Sequence, residues 1–306
     1  MNSNKRLTES TDTIFWARLS IILPMIIWLL VCYQVQYLII LISAFCGCLF
    51  ALSLMFFFNI SSKISLEIAN AFSVAGIVTL LVPTGFQWHI VAITIFLSVF
   101  LGYVCFGGAG NQLLNTAALS VICILTLSGF VSELTIVDGN KHLHHIMVDF
   151  LISFSDHEIS YNLILISFGI HPEFTVVIPP LFFVFGSIFS IILKVVDWRA
   201  MVTYLLFVSV GMFVMKFPMI KIQEIFLPLM VGTIFMVTDN LTTPVRGIGR
   251  MLFGTGSGLT TAFLFSFSNY NNIFSMTLGI LFWNFLSPLI NELFRFRHSR
   301  IIGKED

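Results

Sequence analysis

Charged side chains are scarce in this sequence. Only 10% of its 306 residues are Asp, Glu, Lys or Arg, whereas 58% are hydrophobic and 34 are phenylalanine. An ordinary soluble domain carries roughly 25% charged residues, and one buried core could not hide this much apolar surface. The composition therefore excludes a soluble globular protein and indicates that most of the chain lies in a lipid bilayer.

Further shortages exclude other classes of protein. Fifteen Lys and Arg balance fifteen Asp and Glu, so the sequence lacks the basic surface that binds nucleic acid. The five cysteines lie in apolar stretches, which argues against a disulfide framework. No small-residue cleavage site follows a short apolar region behind residues 1–12, so we expect no removable signal peptide.

Ten apolar windows are long enough to cross, or nearly cross, the roughly 30 Å of bilayer hydrocarbon. They lie near residues 19–33, 37–58, 68–83, 88–106, 113–131, 175–193, 200–215, 225–238, 251–267 and 273–293. The third and eighth windows are short, and each ends at a chain-breaking sequence. Such windows are typical of half-helices whose ends are buried in protein.

The basic residues predict the orientation of these spans, because Lys and Arg are retained on the cytoplasmic side. With the N-terminus inside, twelve basic residues are cytoplasmic, and only Lys141, Lys216 and Lys221 face outward. One span more or fewer would destroy this asymmetry. We therefore expect both termini to be cytoplasmic.

The connection at residues 132–172 is polar and acidic, and this orientation makes it extracytoplasmic. Five spans precede it and five follow, so the second half must insert upside down relative to the first, as in inverted-repeat transporters. The sequence predicts an all-α polytopic membrane protein with a 5+5 inverted repeat. Residues 1–131 form the first repeat, 132–172 the loop and 173–306 the second repeat.

Two segments carry small or polar residues where lipid-facing helices should have none. The glycines of residues 106–115 allow close approach of the backbone to another helix or to a flat ligand, and residues 237–244 place a carboxylate at the end of an apolar run. The alternatives are a glycine turn with a capping Asn, and an Asp that caps the next helix. The candidate binding residues are Gly107, Gly108, Gly110, Asn111, Asn115, Thr238, Asp239 and Thr242.

The same segments resemble those of a known family. Residues 106–115 are similar to the GGLG-(Q/N)-N-x-F-N-P-A motif of the D subunit of Rnf electron-transport complexes and the B subunit of the sodium-pumping NADH:quinone reductase, although Asn115-Thr116-Ala117 replaces Asn-Pro-Ala. Residues 236–244 and 249–254 resemble the family's T-D-P-V-T and G-R-x-x-F-G stretches, and residues 284–290 its N-x-x-x-P-L-I. We expect the Rnf subunit to be nearer, because the long N-terminal extension of the quinone reductase subunit is missing.

The resemblance implies a membrane subunit of a redox-driven, ion-translocating electron-transport complex. Such a subunit holds flavin, passes electrons and works with other membrane and flavin or iron–sulfur subunits in the bacterial inner membrane. It would be a non-autonomous part of a translocase. The alternatives are a conduit or transporter similar to urea channels, whose fold the family shares, and a scaffold without redox activity.

The resemblance also implies covalent FMN on a threonine of an S-x-A-T motif in the outward loop, but this sequence departs from the motif. Aligning Asp138-Gly139 with the family places His144 where the modified threonine should be, and Thr135 is the remaining nearby candidate. We therefore expect FMN or riboflavin to be bound non-covalently. The loop histidines show no spacing of a closed zinc site, so we predict a solvated loop and no metal.

Overall fold

The computed structural model describes residues 2–60, 64–82, 86–108, 112–136, 185–186, 188–192, 196–217, 222–267 and 272–302. Within these ranges the chain is helical and contains no strand. The helices are α1 (Asn2–Phe57), α2 (Ile64–Leu81), α3 (Trp88–Gly102), α4 (Thr116–Ile136), α5 (Trp198–Val214), α6 (Ile222–Val231), α7 (Gly247–Phe267) and α8 (Asn272–Ile302). The prediction of an all-α polytopic membrane protein is confirmed.

Three described helical segments are long and apolar enough to cross a bilayer, namely Val35–Phe57, Trp88–Phe106 and Asn272–Phe294. Large apolar side chains on the outside of the bundle remain uncovered, and Phe57 and Phe213 are 78% and 81% exposed. In a soluble protein such a surface would aggregate. Here it is the surface that contacts lipid.

Helix α1 contains the first two predicted spans and folds back on itself. Ile22 lies against Gly76, and the ring of Phe45 is 4.8 Å from that of Phe72, one turn earlier in α2. In a straight helix, Ile22 and Phe45 would be roughly 34 Å apart, too far to touch neighbouring turns of one partner. The arms Arg18–Val31 and Val35–Phe57 therefore both pack on α2.

The first four helices and the last four form two groups that share one apolar core. In the first group α1 packs on α2 and α3, and α3 packs on α4; in the second, α7 packs between α5 and α8. The groups meet where α4 contacts α8 and where α2 contacts α6.

Parts of the predicted organisation lie outside the described residues. Of the sixth window, at 175–193, only residues 185–186 and 188–192 are described, and of the loop at 132–172 only residues 132–136, at the end of α4. The 5+5 inverted repeat and its boundaries therefore stay predictions. The His144 environment also lies outside the described part.

Candidate functional site

The second polar segment begins where a π-helix ends. Helix α6 continues into a π-helix over Gly232–Val237, all of whose residues are buried. A π-helix is rare and frequently marks a functional site. The chain then makes a tight turn in which the Asp239 carbonyl accepts from the backbone N–H of Thr242 at 3.3 Å and of Thr243 at 3.1 Å.

The carboxylate of Asp239 is buried and is the centre of a polar cluster. Nη1 of Arg18 donates to Oδ1 at 2.9 Å, and Nδ2 of Asn115 donates to Oδ2 at 3.3 Å. The hydroxyl of Thr242 also donates to Oδ2, at 3.1 Å. We call Arg18, Asn115, Asp239 and Thr242 the Asp239 cluster. It joins α1, the start of α4 and the turn after the π-helix.

The ion pair explains how a carboxylate is tolerated at this depth. The side chains of Arg18 and Asp239 are 6% and 4% exposed, and an unpaired charge so buried would be costly. The guanidinium compensates the charge, and the neutral donors satisfy the remaining oxygen lone pairs. The cluster is therefore neutral as an ion pair and strongly polar.

Asn115 also determines where α4 begins. Its Oδ1 accepts from the backbone N–H of Ala118 at 3.1 Å, so it caps the helix while its Nδ2 reaches Asp239. One side chain thus couples the start of a helix in the first group to the polar turn of the second.

The glycine segment begins with a tight turn beside α2, in which the backbone N–H of Gly108 donates to the Tyr103 carbonyl at 3.1 Å. Gly107 and Gly108 have φ angles of 92° and 85°, which L residues other than glycine rarely adopt. A Cβ atom on Gly108 would lie 2.7 Å from Oε1 of Glu67, whose Oε2 accepts a hydrogen bond from the Tyr103 hydroxyl. The backbone at Gly108 therefore approaches α2 and the buried carboxylate of Glu67, rather than a ligand.

A second ion pair holds the far end of the polar turn. Nη1 of Arg250 is 2.6 Å from Oδ2 of Asp197, and its Nε donates to the Pro244 carbonyl at 2.9 Å. Asp197 in turn caps α5, because its Oδ1 accepts from the backbone N–H of Arg199 at 2.9 Å. The turn is thereby fixed to the first residues of α5 and α7.

The structure brings together Asn115, Asp239 and Thr242 among the predicted site residues. The Thr238 hydroxyl instead donates to the Ile234 carbonyl of its own helix. Gly108 lies against Glu67 of α2, and Gly107 directly precedes it. Gly110 and Asn111 lie outside the described residues.

Thr135 belongs to the last turn of α4, and its side chain is outside the described part. Twenty residues of helix, roughly 30 Å, separate it from Asn115. A flavin attached to Thr135 would therefore occupy a different site from the Asp239 cluster.

Sequence reasoning missed two residues of this region. Arg18 counted only as a cytoplasmic charge, although its place at the start of an apolar window indicates a basic residue that needs a buried partner. Glu67 is 2% exposed and lies near the start of α2. An ionisable residue directly before the apolar window at 68–83 is the signal that could have found it.

Comparison with known proteins places the chain in a family. Its sequence matches the NQR2, RnfD, RnfE family over residues 3–300. A stretch of 119 residues, 39% of this chain, is 29% identical to the D subunit of the Na(+)-translocating ferredoxin:NAD(+) oxidoreductase complex of Acetobacterium woodii. The stretch spans about a third of that relative's length, 35%. Because the family match covers nearly the whole sequence, the chain belongs to the NQR2, RnfD, RnfE family.

Proposed function

We propose that this chain is a membrane subunit of an Rnf-type, ion-translocating electron-transport complex, and that it holds flavin beside the Asp239 cluster. Membership of the family and the similarity to the relative from Acetobacterium woodii support the complex. Its partners are the other membrane and flavin or iron–sulfur subunits. Its location is the bacterial inner membrane, with both termini cytoplasmic.

The Asp239 cluster is the observation that carries the proposal. It joins two polar breaks that are 124 residues apart in sequence, through the hydrogen bond from Asn115 to Asp239. Residues 222–237 measure roughly 24 Å along the helix axis, which is shorter than the hydrocarbon core. Backbone that breaks inside the membrane is tolerated where it is buried in protein or lines a ligand site.

Some polar atoms of the two segments have hydrogen-bond partners, and at least one, in Gln112, three residues before Asn115, does not. Asn115 and the Asp239 carboxylate already have partners, so they position the two breaks. Gln112 is 6% exposed, and its Oε1 has no hydrogen-bond partner. A buried acceptor without a donor fits a ligand that carries N–H or O–H groups, as flavins do.

In this arrangement Gln112 would contact the flavin and the Asp239 cluster would hold the surrounding backbone. When bound, the flavin supplies one- and two-electron transfer to its redox partners. The apolar residues of the bundle exclude water from the site. The aligned attachment position is His144, which offers no hydroxyl for a phosphoester, so the flavin is non-covalent.

The test is a count of flavin in the purified complex. We expect wild-type complex to release flavin on denaturation, with no fluorescent band for this subunit on a denaturing gel. Gln112→Leu should remove up to one flavin equivalent per complex. Gln87→Leu, at an exposed position before α3, is the matched control and should retain it.

Two results would count against this proposal. One is an intact wild-type complex in which this subunit contributes no flavin, which would favour a conduit or a scaffold. The other is a fluorescent subunit band that Thr135→Ala abolishes, because it would move the flavin to a covalent site at the far end of α4.

A further inference from the structure

Asn284 is a completely buried amide whose polar atoms are both open. Its side chain is 0% exposed, and neither Oδ1 nor Nδ2 has a hydrogen-bond partner. Burying a donor and an acceptor without partners is costly. Native proteins rarely keep such a group unless a ligand, ion or water completes it.

The backbone carbonyl of the same residue lacks its usual helical donor. Pro288 lies inside α8 and has no N–H, so it cannot donate the helical hydrogen bond that the Asn284 carbonyl would otherwise accept. Asn284 therefore has an unpaired side-chain acceptor and donor, at a point where the helix also lacks one backbone hydrogen bond.

Contacts on either side of Asn284 show which segment it faces. Met276 lies against Gly232, at the start of the π-helix, and Oδ1 of Asn291 accepts from the backbone N–H of Val245 at 3.0 Å. The segment from Gly232 to Val245 therefore runs along α8 from Met276 to Asn291.

Asn284 lies near the middle of that stretch of α8, as Asp239 lies near the middle of the facing segment. Successive residues of a helix are about 100° apart, so Met276, Asn284 and Asn291 fall within an arc of about 80°. Asn284 thus belongs to the face that packs against the polar turn. Its position on α8 is about midway between the two contacts, that of Met276 with Gly232 and that of Asn291 with Val245.

We propose that Asn284 is a ligand-binding residue of the flavin site, and that its amide pairs with the pyrimidine edge of the isoalloxazine ring. The inference rests on the proposed function. That edge carries an N–H beside a carbonyl, so the N–H donates to Oδ1 and the carbonyl oxygen accepts from Nδ2. A quinone offers only acceptors and would leave Oδ1 unpaired, and a lipid chain offers neither.

The first test is the nearly isosteric variant Asn284→Leu in the full complex. Without a ligand the buried, unpaired amide destabilises the fold. Flavin-depleted Asn284→Leu complex should therefore unfold at the same temperature as flavin-depleted wild-type complex, or at a higher one. Titrated with FMN or riboflavin, the variant should bind about tenfold to a hundredfold more weakly, the value of two lost hydrogen bonds.

Thr277→Val is the matched control on the same helix, because Thr277 is buried and its hydroxyl donates to the Ile273 carbonyl of its own turn. It should keep wild-type affinity. A second readout is the infrared carbonyl stretch of the bound flavin, which should shift in Asn284→Asp, because the carboxyl replaces the amide donor. A residue with a purely structural role would not change that frequency.

Separate outcomes overturn the inference and the proposed function. In the first outcome the wild-type complex contains this subunit's flavin, but Asn284→Leu binds FMN and riboflavin with unchanged affinity and Asn284→Asp leaves the carbonyl frequencies unchanged. The amide then holds a water molecule, and this inference alone fails. If the wild-type protein holds no flavin, the proposed function fails and the inference fails with it.

Discussion

At the scale of single residues, the Arg18–Asp239 pair has the largest expected effect on stability. Arg18→Met keeps most of the apolar stem but leaves the Asp239 carboxylate buried without a counter-charge. We expect a loss of about 3–5 kcal/mol in unfolding free energy, measured by denaturant titration in detergent.

The control for this prediction removes both charges. Arg18→Met combined with Asp239→Leu leaves no uncompensated ion, so the double variant should recover much of the lost stability. If the single variant unfolds like wild type, the pair does not stabilise the fold and our description of the cluster is wrong.

At the scale of helices, side chains at the ends determine how the elements meet. Asp197 caps α5 and pairs with Arg250, which also donates to the Pro244 carbonyl. The carboxylate therefore links the start of α5 to the polar turn. Both side chains of the pair are 18% exposed, so solvent screens it only in part.

Asp197→Ala should lower the unfolding free energy by about 1–2 kcal/mol, because it removes both a cap and an ion-pair partner. Asp197→Asn is the matched variant, since Asn caps nearly as well as Asp and lacks the charge. It should fall between wild type and Ala in thermal unfolding. Equal losses for Ala and Asn would assign the whole effect to the charge and none to the cap.

The bend in α1 also belongs to the scale of helices. Hydropathy separates α1 into two windows, and the contacts of both arms with α2 show that the helix bends between them. The two windows already predict two spans that run in opposite directions, but no Gly or Pro between Trp28 and Phe45 marks where the helix bends. Packing on a common partner, rather than a local breaker, determines the bend.

At the scale of the whole molecule, the predicted orientation explains why the two polar breaks can meet. With both termini cytoplasmic, the spans before residues 106–115 and before residues 238–246 both run inward. Their ends then lie at the same side of the bilayer. The contact between Asn115 and Asp239 agrees with that arrangement.

Labelling from outside intact cells tests this orientation. In a background without cysteine, Lys141→Cys should react with a membrane-impermeant maleimide, because the acidic connection faces outward. Lys304→Cys should react only after permeabilisation. The opposite pattern would invert the topology, and labelling of both positions in intact cells would mean that an even number of spans separates them.

Composition and hydropathy were enough to predict an all-α membrane protein, because apolar length is a local property of the chain. The family was indicated separately, by the resemblance of several short motifs in the same order. They also identified Asn115, Asp239 and Thr242. Packing in three dimensions was needed to show that Arg18 completes this cluster and that Gly108 lies against Glu67. The physical reason is that ion pairs and buried hydrogen bonds depend on which helices pack together, and residues such as Arg18 and Asp239 are 221 positions apart.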